Sequence, residues 1–411
     1  MTALADLMTT SIGAGASSFF SSSSTSSSSS SFGSARGAAP SPAGPPSHHA
    51  PGGGFRNPPE WRSCREATFS HFFWDALPDW DYSTAFPPLP VAPVPFDILR
   101  APRAPLQALF VGPATFFVQA RGVGVLTDPF FSERPSPVSF IGPQRYSPPA
   151  CAVEELPPVD VVLISHSHYD HLDAASVAAL QRKARADAAR DGGYGGITWC
   201  VPLGLATLLE DMGVPRGDIR ELDWWRDATV RVRGGAASLR VTAVPAQHNS
   251  ARTPWDRNTT LWCGFACSAA AGADPAAPPA AFYFSGDTGY RAVERGAPPF
   301  SHGESSAPRC PAFKEIGARC GPFDLALLPI GAYSPRGFMS SFHASPSDAV
   351  EMLADVNAKA AVGMHWGALP LTDEPPLQPV EWLKEALRRK GASAPFSALR
   401  PGSVWPFAEP L

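Results

Sequence analysis

The sequence predicts an α/β fold of the α+β type, with layers of sheet stacked on layers of helix. Short apolar runs of strand length alternate with longer segments of helical spacing, and hairpin signals are mixed among them. At 411 residues and 44% apolar content the chain can build a large core. Several apolar runs also stop abruptly at a His or an Asp, which packing alone does not explain.

Residues 1–54 are dominated by Ser, Ala, Pro and Gly and bury too little apolar surface to offset the entropy of ordering, so disorder is expected there. Asp6 is the only acid in this Ser-rich stretch, which admits organellar targeting, but Arg36 is its only Arg, and a plain linker suits the composition better. Residues 55–107 are expected to pack on the core as an extension, because Phe69, Phe72, Phe73, Trp74 and Trp80 supply a high density of rings. Residues 108–411 form the main domain. Strands at 114–119 and 122–126 make a hairpin, a buried strand covers 161–164, and Asp173 caps a helix reaching residue 190. Then follow a strand at 197–201, a helix at 202–212, a hairpin over 230–244 turning at Gly234-Gly235, and strands at 259–266 and 282–285. Residues 291–309 read as a solvated loop insertion without a strong apolar anchor. A strand at 323–329, a helix opened by Ser345 and Pro346, a strand at 360–364 and a helix at 380–390 ended by Gly391 complete the chain.

Composition removes several function classes. The net charge of -4 comes with no basic stripe, so nucleic acid is not an expected partner. Seven scattered cysteines without CxxC spacing indicate neither a disulfide framework nor a thiolate metal site, which suits a reducing, cytoplasmic setting. No apolar run reaches the roughly 18 residues a bilayer span needs, so membrane contact would be peripheral. A homodimer is compatible with the sequence.

The densest chemistry follows the strand at 161–164: His166, His168, Asp170 and His171 in the spacing His-x-His-x-Asp-His. Both residue types ligate borderline divalent metals. Alternate residues of an extended segment share a face, so His166 and His168 can grip one ion, while the turn that follows lets Asp170 and His171 face a second. His248, Asp287 and His365 also stand at the ends of expected strands. Arg252, four residues beyond His248, is a candidate to hold a phosphate, and His343, just before the Ser345 cap, is a candidate acid or support for a ligand.

In these residues the chain resembles the metallo-β-lactamase superfamily and, within it, is similar to the N-acylphosphatidylethanolamine-hydrolysing phospholipases D and their bacterial relatives. The closer likeness lies in Leu126-Thr127-Asp128-Pro129-Phe130, Glu221-Leu222-Asp223-Trp224-Trp225, Gly286-Asp287-Thr288-Gly289-Tyr290, Pro329-Ile330-Gly331-Ala332-Tyr333 and His365-Trp366-Gly367. The resemblance implies a four-layer αββα sandwich and two Zn2+ ions, with His166, His168 and His248 on one, Asp170, His171 and His365 on the other, and Asp287 bridging. It implies hydrolysis of membrane phospholipid by a dizinc-activated hydroxide, giving phosphatidic acid and an N-acylethanolamine; a lactonase or sugar-phosphate lactonase is the alternative. A lipid substrate calls for an apolar approach to the metals, for which Leu203, Leu205, Leu208, Leu209, Phe72, Phe73 and Trp74 are candidates, although the helix residues among them read better as core. One departure stands out: Pro113 occupies the place of a His in the family segment, so a contact behind the ligands is expected to be missing.

Overall fold

In a computed structural model, residues 46–64, 88–138, 140–190, 196–270, 277–392 and 394–411 are described, all within the compact unit Pro45–Leu411. The elements in chain order are α1 (Phe96–Arg100), β1 (Leu106–Phe110), β2 (Phe116–Ala120), β3 (Val123–Thr127), β4 (Val161–Leu163), α2 (Ala174–Arg190), β5 (Thr198–Pro202), α3 (Ala206–Asp211), β6 (Ile219–Leu222), β7 (Asp227–Val232) and β8 (Ala237–Val244). There follow β9 (Gly264–Ala270), β10 (Ala280–Phe284), α4 (His302–Ser306), α5 (Ala312–Cys320), β11 (Leu325–Pro329), α6 (Arg336–Met339), α7 (Pro346–Asp355), β12 (Ala361–Met364), α8 (Gln378–Lys390), β13 (Phe396–Ser397) and β14 (Val404–Trp405).

Two seven-stranded sheets result, in the orders β14-β1-β2-β3-β4-β5-β6 and β13-β12-β11-β10-β9-β8-β7. Each is half hairpin and half crossover. β1, β2 and β3 pair antiparallel and β3 to β6 parallel; likewise β7 to β10 pair antiparallel and β10 to β13 parallel. Side chains of the first sheet divide by parity, as the two-residue period of a strand requires. Phe116, Val118, Val161 and Leu163 join the core shared with the second sheet, while Phe117, Val162, Trp199 and Val201 face Val177 and Leu180 of α2. Strands buried on both faces read as continuous apolar runs, which is why β4 was legible. On the second sheet, Phe313 and Ile316 of α5, Val350 and Leu353 of α7 and Leu383 of α8 join the same core. The architecture is the αββα sandwich.

Local signals explain the helix ends. Asp173 accepts from Ser176 N at 3.2 Å to start α2. Ser345 and Asp348 exchange bonds across the first turn of α7, with Pro346 at its opening. Gly391 stops α8 in the left-handed region at φ 58°.

Three expectations are corrected. The helix expected at 202–212 is α3, six residues long, because Pro202 is still paired in β5. The strand expected at 259–266 lies at Gly264–Ala270; the preceding residues instead bind the loop after β4, Cys263 N donating to Ser165 O at 3.0 Å. Of the stretch expected to be disordered, residues 46–54 are ordered, held by His48 and His49 on Asp223; residues 1–45 lie outside the described set, as do Phe69, Phe72, Phe73, Trp74 and Trp80.

The segment 291–309 is largely exposed, but it is anchored at its start and within α4. Arg291 and Val293 are buried, and the Arg291 Nε sits 2.5 Å from Asp348 Oδ1 and its Nη2 2.7 Å from Glu351 Oε2. Arg336 pairs with Asp348 at 2.7 Å and with Glu304, within α4, at 3.2 Å. Charge pairing, invisible in a Pro/Gly-rich composition, is the anchor. Burial alone would raise the Asp348 pKa, but the Arg336 and Arg291 guanidiniums outweigh it and hold the carboxyl below its usual range. Asp348→Ala removes the carboxylate that two buried guanidiniums share, leaving Arg291 with Glu351 and Arg336 with Glu304 alone, and is expected to lower stability by about 3 kcal/mol in urea denaturation. Because the native pKa is depressed, this contribution is full above the unfolded value of about 3.9 and disappears as pH falls through the native one. The wild-type and Ala midpoints should therefore converge in acid.

Candidate metal centre

Four strands deliver the site to one rim. β4 runs into the loop carrying His166 to His171 from the first sheet; β8, β10 and β12 of the second end just before His248, Asp287 and His365. Gly286, at φ 57°, is required where the two sheets close, since a Cβ there would lie 2.5 Å from Ser165 Cβ. His365 is itself left-handed at φ 60° and is held by its N–H on Pro113 O at 2.7 Å. Such strain in a non-glycine residue persists only where the surroundings fix it.

All seven expected ligand residues meet here, in two groups. His168 Nδ1 lies 2.8 Å from His166 Nε2 and 3.3 Å from His248 Nε2. His171 Nε2 lies 3.3 Å from both His365 Nε2 and Asp170 Oδ2, and His365 Nε2 is 3.3 Å from Asp170 Oδ2. Asp287 Oδ2 faces both groups, at 3.1 and 3.2 Å from His171 and His365 and at 4.0 and 3.9 Å from His166 and His248.

The bonds behind the donors fix their tautomers. Ser165 Oγ donates to Asp128 Oδ2 at 2.5 Å and therefore accepts from His166 Nδ1 at 2.8 Å. His171 Nδ1 donates to the same carboxylate at 2.6 Å, and His248 Nδ1 donates to Phe342 O at 3.0 Å. With their protons turned outward, the Nε2 atoms of His166, His171 and His248 present lone pairs to one another and to two carboxylates. Lone pairs converging in a buried space need a cation, and the N and O donor set suits a divalent metal. Without one, the site draws protons. Burial favours neutral imidazoles, yet Asp287 and Asp170 push His171 and His365 up, while His166 and His248 are driven well down by burial. Asp287 Oδ1 and His365 Nδ1 are buried without a hydrogen-bond partner among the described residues.

Two further candidates are placed differently from each other. Arg252 does not reach out for a phosphate: its Nη1 donates to Ser167 O at 2.8 Å and Leu172 O at 2.9 Å, and its guanidinium lies 3.9 Å over the Tyr169 ring. It brackets the His loop. His343 lines the centre, its Nδ1 3.9 Å from Asp287 Oδ2. Burial, opposed by Asp287, brings it down to about 4, so at neutral pH it is a neutral imidazole and not the charged acid. Asp128 was given no site role, although it stands in the family-like stretch Leu126 to Phe130; its other sequence signal was a carboxylate directly after β3. It also supplies a contact behind His171, so the absence of a His at Pro113 leaves that ligand supported.

A cavity of about 220 Å³ opens on His168, Asp170 and Asp287, with Pro335, Phe338, Met339 and Leu371 also in its lining. The leucines expected there are elsewhere. Leu205 and Leu209 are fully buried against α2 and its neighbours, Leu208 packs on the same cluster and Leu203 on the inter-sheet core.

Fold and site together define a metal-dependent hydrolase, and comparison with known proteins agrees. The family described as the beta-lactamase superfamily domain matches residues 124–366. The chain belongs to this metallo-β-lactamase superfamily, and it is similar to the N-acyl-phosphatidylethanolamine-hydrolyzing phospholipase D 1 of Caenorhabditis elegans, with 36% identity over 73% of this chain and 75% of that protein. The mitochondrial N-acyl-phosphatidylethanolamine-hydrolyzing phospholipase D of Saccharomyces cerevisiae is 29% identical over 69% of this chain and 52% of its own. Among solved structures, an isothiocyanate hydrolase from Delia radicum gut bacteria aligns over 74% of this chain and 100% of its own at 17% identity and TM-score 0.49.

Asp128→Asn removes the second acceptor that His171 and Ser165 share, and is expected to weaken divalent-metal affinity by about 10–100-fold in a chelator competition. Arg252→Ala, by leaving two carbonyls unpaired, should lower stability by about 1–3 kcal/mol and reduce metal retention. A selective rise in KM with metal retention intact would instead return Arg252 to substrate binding.

Proposed function

We propose that the chain is a zinc-dependent phosphodiesterase of the phospholipase D type that hydrolyses N-acylphosphatidylethanolamine to phosphatidic acid and an N-acylethanolamine. The observation that carries this reading is the cavity, whose lining joins the donors His168, Asp170, Asp287 and His365 with the apolar side chains of Phe338, Met339 and Leu371. A phosphodiester that carries acyl chains calls for both kinds of lining. The similarity to the worm protein supports the same substrate.

Bound zinc would supply Lewis-acid activation of water and offset charge on the phosphoryl oxygens, held by His166, His168 and His248, by Asp170, His171 and His365, and by Asp287 between them. The chain's own groups do the rest. Pro335, Phe338 and Met339 exclude water from the approach, which strengthens every polar contact inside. His343, neutral and on the cavity wall, offers an N–H to the departing alkoxide oxygen. Contact with the membrane is peripheral in this reading: no described helix is long and apolar enough to cross one, and Trp255, Phe140 and Ile141 are 88%, 76% and 60% exposed. Such a surface suits an enzyme working from the cytoplasm or an organelle on a lipid substrate.

Incubation with N-acylphosphatidylethanolamine vesicles is expected to release N-acylethanolamine, to stop after chelation and to resume with Zn2+; His168→Ala should lose metal and activity together. No lipid product alongside rapid hydrolysis of lactones would overturn the assignment. His343→Ala should retain its metal, checked by elemental analysis, while kcat falls about 10²-fold.

A further inference from the structure

Outside the centre, a second set of ligating side chains lies where the arm of residues 46–64 meets the domain. His48 Nε2 is 2.7 Å from Asp223 Oδ1 and His49 Nε2 is 3.0 Å from Asp223 Oδ2. The ligand atoms of all three lie within 4.8 Å of one another. Neighbouring side chains of an extended chain point to opposite faces, so this convergence has to be built. The backbone turns to build it: His49 N donates to Pro46 O at 2.9 Å, Ala50 and Gly54 close a hairpin at 3.0 Å, and His49 bridges Phe55. Gly54, at φ 72°, is pressed against the domain so closely that a Cβ would meet Asn258 O at 2.6 Å. The His48 ring is stacked on Trp224 at 4.2 Å, and the His49 ring stands edge-on to Phe55 at 5.2 Å. Both rings are thereby aimed at one carboxylate. His48 is buried, whereas the His49 side chain is 31% exposed, which leaves a side open for water to complete a coordination shell.

We infer that His48, His49 and Asp223 form a separate binding site for a borderline divalent cation of the Zn2+ class, clasping the arm onto the domain. Two imidazoles and a carboxylate are the donor types such ions take. The clasp bears on the centre through the arm. Asn57 Nδ2 donates to His248 O at 2.8 Å, and Ser63 Oγ donates to Gln247 Oε1 at 2.6 Å while Gln247 Nε2 returns a bond to Ser63 O at 3.0 Å. Trp61 stacks on Trp224 at 5.7 Å, beside His48. A cation at the clasp thus steadies the strand end that delivers His248.

The alternative, a clasp of hydrogen bonds only, is separable by experiment. In His49→Gln a side-chain N–H can still reach Asp223, but the imidazole ligand is gone. The full-length protein is stripped with chelator and titrated with Zn2+ in a calorimeter, and with Co2+ followed by its visible absorption. Wild type is expected to bind about one equivalent more than either His49→Gln or Asp223→Asn, or to lose at least about tenfold in affinity for that equivalent on substitution. Equal stoichiometry and equal affinities for wild type and a folded His49→Gln, checked by circular dichroism, would overturn the site. His49 is on the surface, so this variant decides the matter even where Asp223→Asn does not fold.

Discussion

One buried carboxylate sets the terms for everything at the rim. Asp128 is wholly inside the protein and accepts from Ser165 N, Ser165 Oγ and His171 Nδ1 at 2.7, 2.5 and 2.6 Å. Those bonds turn protons away from the centre and leave the Nε2 lone pairs of His166 and His171 pointing in, so part of the demand for positive charge follows from a carboxylate behind the ligands. Its own position comes from sheet topology. β3 and β4 are parallel with Thr127 opposite Leu163, which brings Asp128 beside Ser165 as the two strands end.

The second sheet answers from its own parallel half. β10 and β12 end at Asp287 and His365, and the hairpin strand β8 ends at His248 on the same rim. Strand ends on parallel sheets are where loops of distant sequence meet, and neither sheet alone carries both groups of donors. The cost is backbone strain at His365 and a glycine at residue 286.

Much of this was legible beforehand because the signals were local. The strand at 161–164 is apolar on both faces, the spacing from His166 to His171 is compact, and the Ser345–Asp348 cap is written in four consecutive residues. What could not be read depended on distant partners. Arg252 looks like a phosphate ligand until Ser167 and Leu172 turn their carbonyls to it; residues 46–54 look like linker until Asp223 is placed under His48 and His49. In the segment 291–309 it was the anchor that stayed hidden, since a Pro/Gly-rich composition says nothing of a buried Arg291 meeting Asp348. The leucines of α3 read as core or as cavity wall alike, since hydropathy does not separate an inward-facing side chain there from the cavity-lining Phe338 of α6; the structure puts them in the core.

Asp287 Oδ2 stands 4.0 and 3.9 Å from His166 and His248 against 3.1 and 3.2 Å from His171 and His365, and Gly286 packs against Ser165 across the seam between the sheets. The seam between the sheets is thus also the line along which the donors would part. A cation held there would work as a rivet: it would join two halves of the sandwich that otherwise meet through apolar contact and a few backbone hydrogen bonds, and would fix their alignment as well as their separation.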